Sequence, residues 1–201
     1  LAPWRIIEGE FGHIIGSRDR FFHNKGEYNK QGEHYLTTLE ASADAEKGSD
    51  SQTGIIVSPL FIPESGKMTF RVGGGDGPNT YVALCTADGK EVQFARGIRD
   101  QVMQQCEWDL SPHAGRKMFI KIVDNATGGW GHITADDFQF DAKVLSEYPN
   151  LETGNGVRQN SQPETTKPAE PSGEVRSSNT DSVHSSKPNF VVIFTDDQGY
   201  G

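Results

Sequence analysis

From about Trp4 to Leu145 the chain repeats one unit, a run of four to eight β-prone residues closed by Gly, Pro, Asn or Asp. Lys67-Met68-Thr69-Phe70-Arg71-Val72 alternates polar and apolar residues, the period-two pattern of a strand with one face in a core. Gly54-Ile55-Ile56-Val57-Ser58-Pro59-Leu60 predicts a strand ended or bent by its proline, which cannot donate to a ladder. Thr80-Tyr81-Val82-Ala83-Leu84-Cys85 and Glu91-Val92-Gln93-Phe94 flank Asp88-Gly89, a strong hairpin signal because tight hairpin turns need positive φ. Cys106 to Leu110, Lys117 to Val123 and Ile133 to Phe140 continue the series, the last after a glycine-rich corner. Helix-period apolar patterns are nearly absent. Roughly eight strands in about 140 residues predict an all-β sandwich or jelly roll, large enough to bury a core between two sheets.

Past Tyr148 the pattern stops. Asn150 to Ser186 is Ser, Thr, Asn, Gln, Pro, Glu and Gly with hardly a large apolar side chain, and Gln162 to Pro171 is spaced by prolines, as in an extended linker. Phe190-Val191-Val192-Ile193-Phe194 is then continuously apolar, like a parallel strand covered on both faces. A strand of that kind needs neighbours, and none follow before Gly201. The expected division is a β-sandwich over residues 1–148, a disordered linker over 149–186, and the truncated start of an α/β domain over 187–201.

Composition narrows the partners. The 28 acidic and 19 basic residues give a formal charge of −9, which repels a nucleic-acid backbone. No apolar run reaches the roughly 20 residues of a membrane span, and no charged-then-apolar leader is visible; the start at Leu1 fits either a removed leader or a fragment. The 23 glycines and 10 prolines agree with many turns. Cys85 and Cys106 are too few for a disulfide framework and wrongly spaced for zinc, which leaves buried free thiols or one interstrand disulfide. His13, His23, His34 and His113 are scattered, without ligand spacing.

Two carboxylates at the carboxyl end of a parallel strand stand where open α/β sheets gather ligands, and Asp196-Asp197 occupies that position, with Gly199 to break the strand. From residue type alone the alternatives are cation binding and a solvated turn. The run Lys187-Pro188-Asn189-Phe190-Val191-Val192-Ile193-Phe194-Thr195-Asp196-Asp197-Gln198-Gly199-Tyr200-Gly201 resembles the opening of the formylglycine-dependent sulfatases, in the alkaline-phosphatase-like superfamily. The resemblance implies that Asp196 and Asp197 are ligands of an active-site calcium, and that the parent enzyme hydrolyses sulfate esters through a formylglycine hydrate. The C/S-x-P-x-R motif that supplies formylglycine is absent, so residues 1–201 alone are expected to be inactive and to lack the C-terminal catalytic domain.

Gln52 to Pro59, Val72-Gly73-Gly74-Gly75 and Asp124-Asn125-Ala126-Thr127-Gly128-Gly129-Trp130-Gly131-His132-Ile133 carry a second resemblance. They are similar to the galactose-binding-like jelly rolls attached to secreted carbohydrate-active enzymes, beside fructan-cleaving glycosidases and some sulfatases. Glycines 73–77 and 128–131 permit positive φ or close approach of another chain. A sugar site pairs an aromatic plate with a few hydrogen-bonding groups, and Trp130, His132, Asp124, Asn125 and Asp76 supply both kinds. The alternative is that Trp130 plugs the end of the sandwich. Glu8, Glu10, Asp136 and Asp137 are either solvated or, as in jelly rolls of this type, hold a structural calcium, with Glu8 and Asp137 as its candidate ligands.

The leading expectation is the N-terminal part of a secreted or periplasmic sulfatase acting on a sulfated polysaccharide or aryl sulfate, with an accessory sandwich for glycan. The alternative is a non-catalytic carbohydrate-binding or structural module.

Overall fold

The computed structural model describes residues 4–22, 26–64 and 66–151. The expected linker, the strand Phe190–Phe194 and the aspartates Asp196 and Asp197 lie outside the described residues. In chain order the strands are β1 (Arg5–Glu10), β2 (Ile15–Gly16), β3 (Tyr35–Thr37), β4 (Thr53–Val57), β5 (Phe61–Pro63) and β6 (Lys67–Gly74). They continue as β7 (Thr80–Thr86), β8 (Glu91–Ala95), β9 (Asp100–Asp109), β10 (Met118–Asp124), β11 (Ile133–Gln139) and β12 (Ala142–Val144). A single 3-10 turn, Ser111–His113, is the one helical element among the described residues.

Two antiparallel sheets form. In the first, β1, β4, β10, β7 and β8 lie side by side, while β5 continues the line of β4 along β10 and is flanked by β12. The second has the order β2-β3-β11-β6-β9. The break between β4 and β5 falls at Ser58-Pro59-Leu60, as the proline predicts, and Ser58 mends the ladder by accepting from the Ile120 amide through its side chain at 2.9 Å. The hairpin of β7 and β8 turns at Asp88-Gly89, with Gly89 at φ 88°. Twelve strands appear instead of roughly eight, because β2, β3, β5 and β12 have only two or three residues each and owe their pairing to neighbours rather than to local pattern.

Alternation sends one side of every long strand inward. Met68, Phe70 and Val72 of β6, Val82 and Leu84 of β7, Met118, Ile120 and Ile122 of β10, and Ile133 and Ala135 of β11 share one core between the sheets. Phe70 lies 4.4 Å from Trp108 and 5.2 Å from Phe138, ring centre to ring centre, joining β6 to β9 and β11.

Each sheet also carries an apolar patch on its outer face. On the first, Val57, Ala83, Cys85 and Phe119 are buried under Leu145, Tyr148 and Leu151. These cap residues belong to a strap that leaves β12 and is tied back by Leu145 N to Leu60 O and Leu60 N to Glu147 O, both at 2.8 Å. The Arg5 guanidinium rests 3.6 Å from the Tyr148 ring centre. On the second sheet, Tyr28, Tyr35 and Met103 pack with Phe21 beneath the incoming loop.

Both cysteines are free. Cys85 faces outward from the first sheet and Cys106 packs toward the inner core from the second, so the disulfide alternative is not realised. Burial pushes the Cys85 thiol up to about 12, away from its reactive thiolate.

In a Cys106→Ser background, replacing Leu145 and Tyr148 together by alanine is expected to cost about 2 kcal/mol, the scale for partly buried large side chains. It should also raise the rate at which Cys85 reacts with a disulfide reagent. A variant with unchanged denaturant midpoint and an equally inert thiol would refute the strap's role.

Candidate functional site

At one end of the sandwich β6, β10 and β11 meet the loops of residues 75–79 and 125–132. The backbones crowd there: a Cβ on Gly75 would stand 2.1 Å from the Trp130 carbonyl oxygen, and Gly74 takes φ 96° against His132. Gly75 N donates to His132 O at 2.9 Å, stitching the two glycine-rich segments together.

The loop of residues 38–52 closes over this end and is held from several sides. Gln52 Nε2 donates to the carbonyls of Thr38 and Glu40, each at 3.0 Å, and Gln52 Oε1 accepts from Gly12 N at 2.7 Å. Glu40, itself buried, accepts from the Tyr35 hydroxyl at 3.0 Å and faces Arg18, which also donates to the Ala45 carbonyl. Fixed in this way, the loop presents Asp50 to the glycine corner.

Asp50 organises the site. Its Oδ1 lies 2.5 Å from His132 Nδ1, and its Oδ2 accepts from Trp130 N at 3.2 Å. His132 Nε2 lies 3.2 Å from Gln101 Oε1, so both ring nitrogens are engaged. Burial pulls the His132 pKa below its ordinary value, and the Asp50 carboxylate only partly opposes it. The Trp130 ring stacks on the His132 ring with centres 5.7 Å apart. Trp130 itself has φ 68°, a region that bulky residues avoid at a cost of roughly 1–3 kcal/mol. The Asp50 contact and the ring stack hold it there.

The five residues read from sequence as a glycan site do gather at this end, but in two layers. His132 and Asp124 are buried, Trp130 is half-buried, and Asp76 and Asn125 are exposed. Asp76 pairs loosely with Arg99 at 3.9 Å, and the Asn125 amide donates to Asn79 O at 2.8 Å. Trp130 belongs to none of the apolar clusters and stacks instead on His132. Asp124 closes β10 pointing inward; its Oδ1 accepts from Ala126 N at 3.5 Å, its Oδ2 is sealed from solvent, and the Thr38 hydroxyl beside the carboxyl offsets part of the burial. Burial first, then the nearby Asp50 carboxylate, push the Asp124 pKa up to about 7.

The residues considered for a structural calcium are divided between the sheets. Glu8 and Glu10 are exposed on edge strand β1, whereas Asp137 sits in a bulge of β11 at φ 55° and faces Arg71 at 3.4 Å. Asp136 is buried, accepts from Gln31 N at 2.6 Å, and is pushed up to about 6 by burial. Among the described residues no three of His, Cys, Asp and Glu are grouped to hold a metal ion. Nor is any helix of the described residues long and apolar enough to cross a membrane.

Asp50 and Gln101 escaped the sequence reading. Asp50 stands in a polar stretch without period, and only the closing of its loop brings it to His132.

No protein-family model matches the chain. It is 36% identical over 91 residues to ecdE of Aspergillus rugulosus, named as a glycosyl hydrolase; the match takes in 45% of this chain and 13% of that protein. Among solved structures, TmCBM61 in complex with β-1,4-galactotriose aligns with 71% of this chain and 89% of its own, at 14% identity and a TM-score of 0.43. The K1 cleaved adhesin domain of Lys-gingipain from Porphyromonas gingivalis aligns with 71% and 90%, at 15% identity and a TM-score of 0.42. These scores are low, and the sandwich fold rests on its own strand pairing.

The buried acids give stability a definite pH dependence. With its pKa raised from an unfolded value of about 3.9 to about 7, Asp124 binds more proton folded than unfolded, so its contribution is full at pH 4 and is lost as pH rises toward 7. Asp136 adds the same sign up to about 6, whereas His132 contributes the opposite slope below about 6.5. Asp124→Asn should therefore lose less melting temperature than the unaltered chain between pH 5 and 8; parallel curves would contradict the assignment.

Proposed function

We propose that the described domain is a non-catalytic carbohydrate-binding module whose contact surface is the loop end around Trp130. The observation that carries this reading is a large aromatic ring kept in a left-handed backbone position between Gly129 and Gly131, where glycine would be unstrained. Strain retained at an aromatic side chain favours a use for the ring, and the apolar face of a sugar is the ligand such a plate takes. The kinship over 91 residues with a protein named as a glycosyl hydrolase supports the same setting, although the chain spans only 13% of its length. In this reading Trp130 stacks on the sugar, Asp76 and Asn125 offer hydrogen bonds from the exposed rim, and Asp50, His132 and Asp124 hold the plate from beneath.

The experiment is affinity electrophoresis of the 201-residue chain through neutral polysaccharides, galactans and fructans among them. Trp130→Ala is expected to weaken retention at least tenfold, ~1.4 kcal/mol, with an unchanged melting temperature. No retention by any polymer, or retention indifferent to Trp130, would leave a structural module instead.

A second reading concerns the parent protein. The Lys187–Gly201 resemblance supports a secreted or periplasmic sulfatase in which Asp196 and Asp197 bind calcium, the sandwich serving to hold a sulfated carbohydrate near the catalytic domain. A gene that continues into a C/S-x-P-x-R motif, and a full-length enzyme that loses calcium and sulfate release when both aspartates become alanine, are the expected results. A stop codon soon after Gly201, or retained activity, would defeat this reading.

A further inference from the structure

The outer face of the first sheet carries a second aromatic plate. Phe94 points outward from edge strand β8 and is 57% exposed, among the most exposed large apolar side chains of the described residues. Two residues on, the Arg96 guanidinium lies 4.5 Å from the Phe94 ring centre and 5.8 Å from that of Tyr81 on β7. Stacking on ring faces orients a guanidinium without using its in-plane N–H groups, which remain a fork for an anion.

The neighbouring charges leave that fork unspent. Glu91, the acid on the same face, is engaged by Lys121 Nζ at 2.5 Å and by the Tyr81 hydroxyl at 2.9 Å, both on its Oε1. Among the described residues no carboxylate lies within ion-pair distance of Arg96, and its Nε is covered without a hydrogen-bond partner. A half-buried cation set against ring faces, without an ion-pair partner among the described residues, gains when an anion arrives.

We propose that Phe94 and Arg96 form an acidic-sugar subsite, the exposed Phe94 ring packing against the C–H face of a sugar and the Arg96 fork gripping its carboxylate or sulfate. Aromatic plate and fork are two residues apart, a spacing that suits a ligand carrying an apolar face and an anion on one ring. The chain's charge of −9 sets long-range attraction against any acidic polymer, so binding there must come from contact rather than from the general field. This subsite does not depend on Trp130.

Affinity electrophoresis of the full chain in polygalacturonate, in a sulfated galactan and in the desulfated form of that galactan tests the assignment. Retention by at least one acidic polymer is expected, and the choice between them identifies carboxylate or sulfate. Phe94→Ala and Arg96→Gln should each weaken it at least tenfold, and Arg96→Lys, which keeps charge but loses the fork, should remain weakened. Phe94 is largely exposed and Arg96 is half-buried beside its ring, so melting temperatures, measured for each variant, should change little. Absence of retention by both acidic polymers, equal retention of the Arg96→Gln chain, or full retention with lysine would overturn the proposal. Trp130-dependent binding of neutral glycan would survive such a failure, which keeps the two readings separable.

Discussion

The fold depends on burying β10 on both faces. Met118, Ile120 and Ile122 enter the core between the sheets, while Phe119 lies beneath the outer strap. A strand flanked by β4 and β5 on one side and β7 on the other, and covered above and below, has little freedom to shift register. Its two ends therefore become fixed points. Asp124 closes it at the loop end, and Lys121, facing outward, neutralises Glu91 beside the Phe94 plate.

The strap changes what a sandwich boundary means here. Residues 145–151 form the outer half of a second apolar layer, since Leu145, Tyr148 and Leu151 cover Ala83, Cys85 and Phe119. Leu151, the last described residue, is pinned to the outer face of the first sheet.

The long strands were legible because β6, β7 and β10 obey alternation and because Asp88-Gly89 and Pro59 carry their own backbone constraints. β9 begins at Asp100 although Cys106 to Leu110 was the visible stretch, since Asp100 to Gln105 is mostly polar and becomes strand only by lying along β6. The loop-end residues were legible as a group, for glycine-rich corners mark where strands end and backbones crowd. Their roles were not. Asp124 and His132 look like ligand groups in sequence, yet burial turns them inward, and no local pattern announces that Asp50 will reach His132. Arg96 was equally silent, its meaning set by what fails to pair with it.

That inward turn decides how the loop end can work. Asp50 spends both carboxylate oxygens on His132 and Trp130, His132 spends both ring nitrogens, and Asp124 is closed off from solvent. None has a free group to offer a ligand without first breaking the framework that holds Trp130 in its strained position. Contacts must then come from the exposed rim and the ring itself, which makes the surface shallow and preformed. A shallow, preformed aromatic surface suits recognition of a polymer's repeated sugar faces, where each contact is weak and several are summed along the chain.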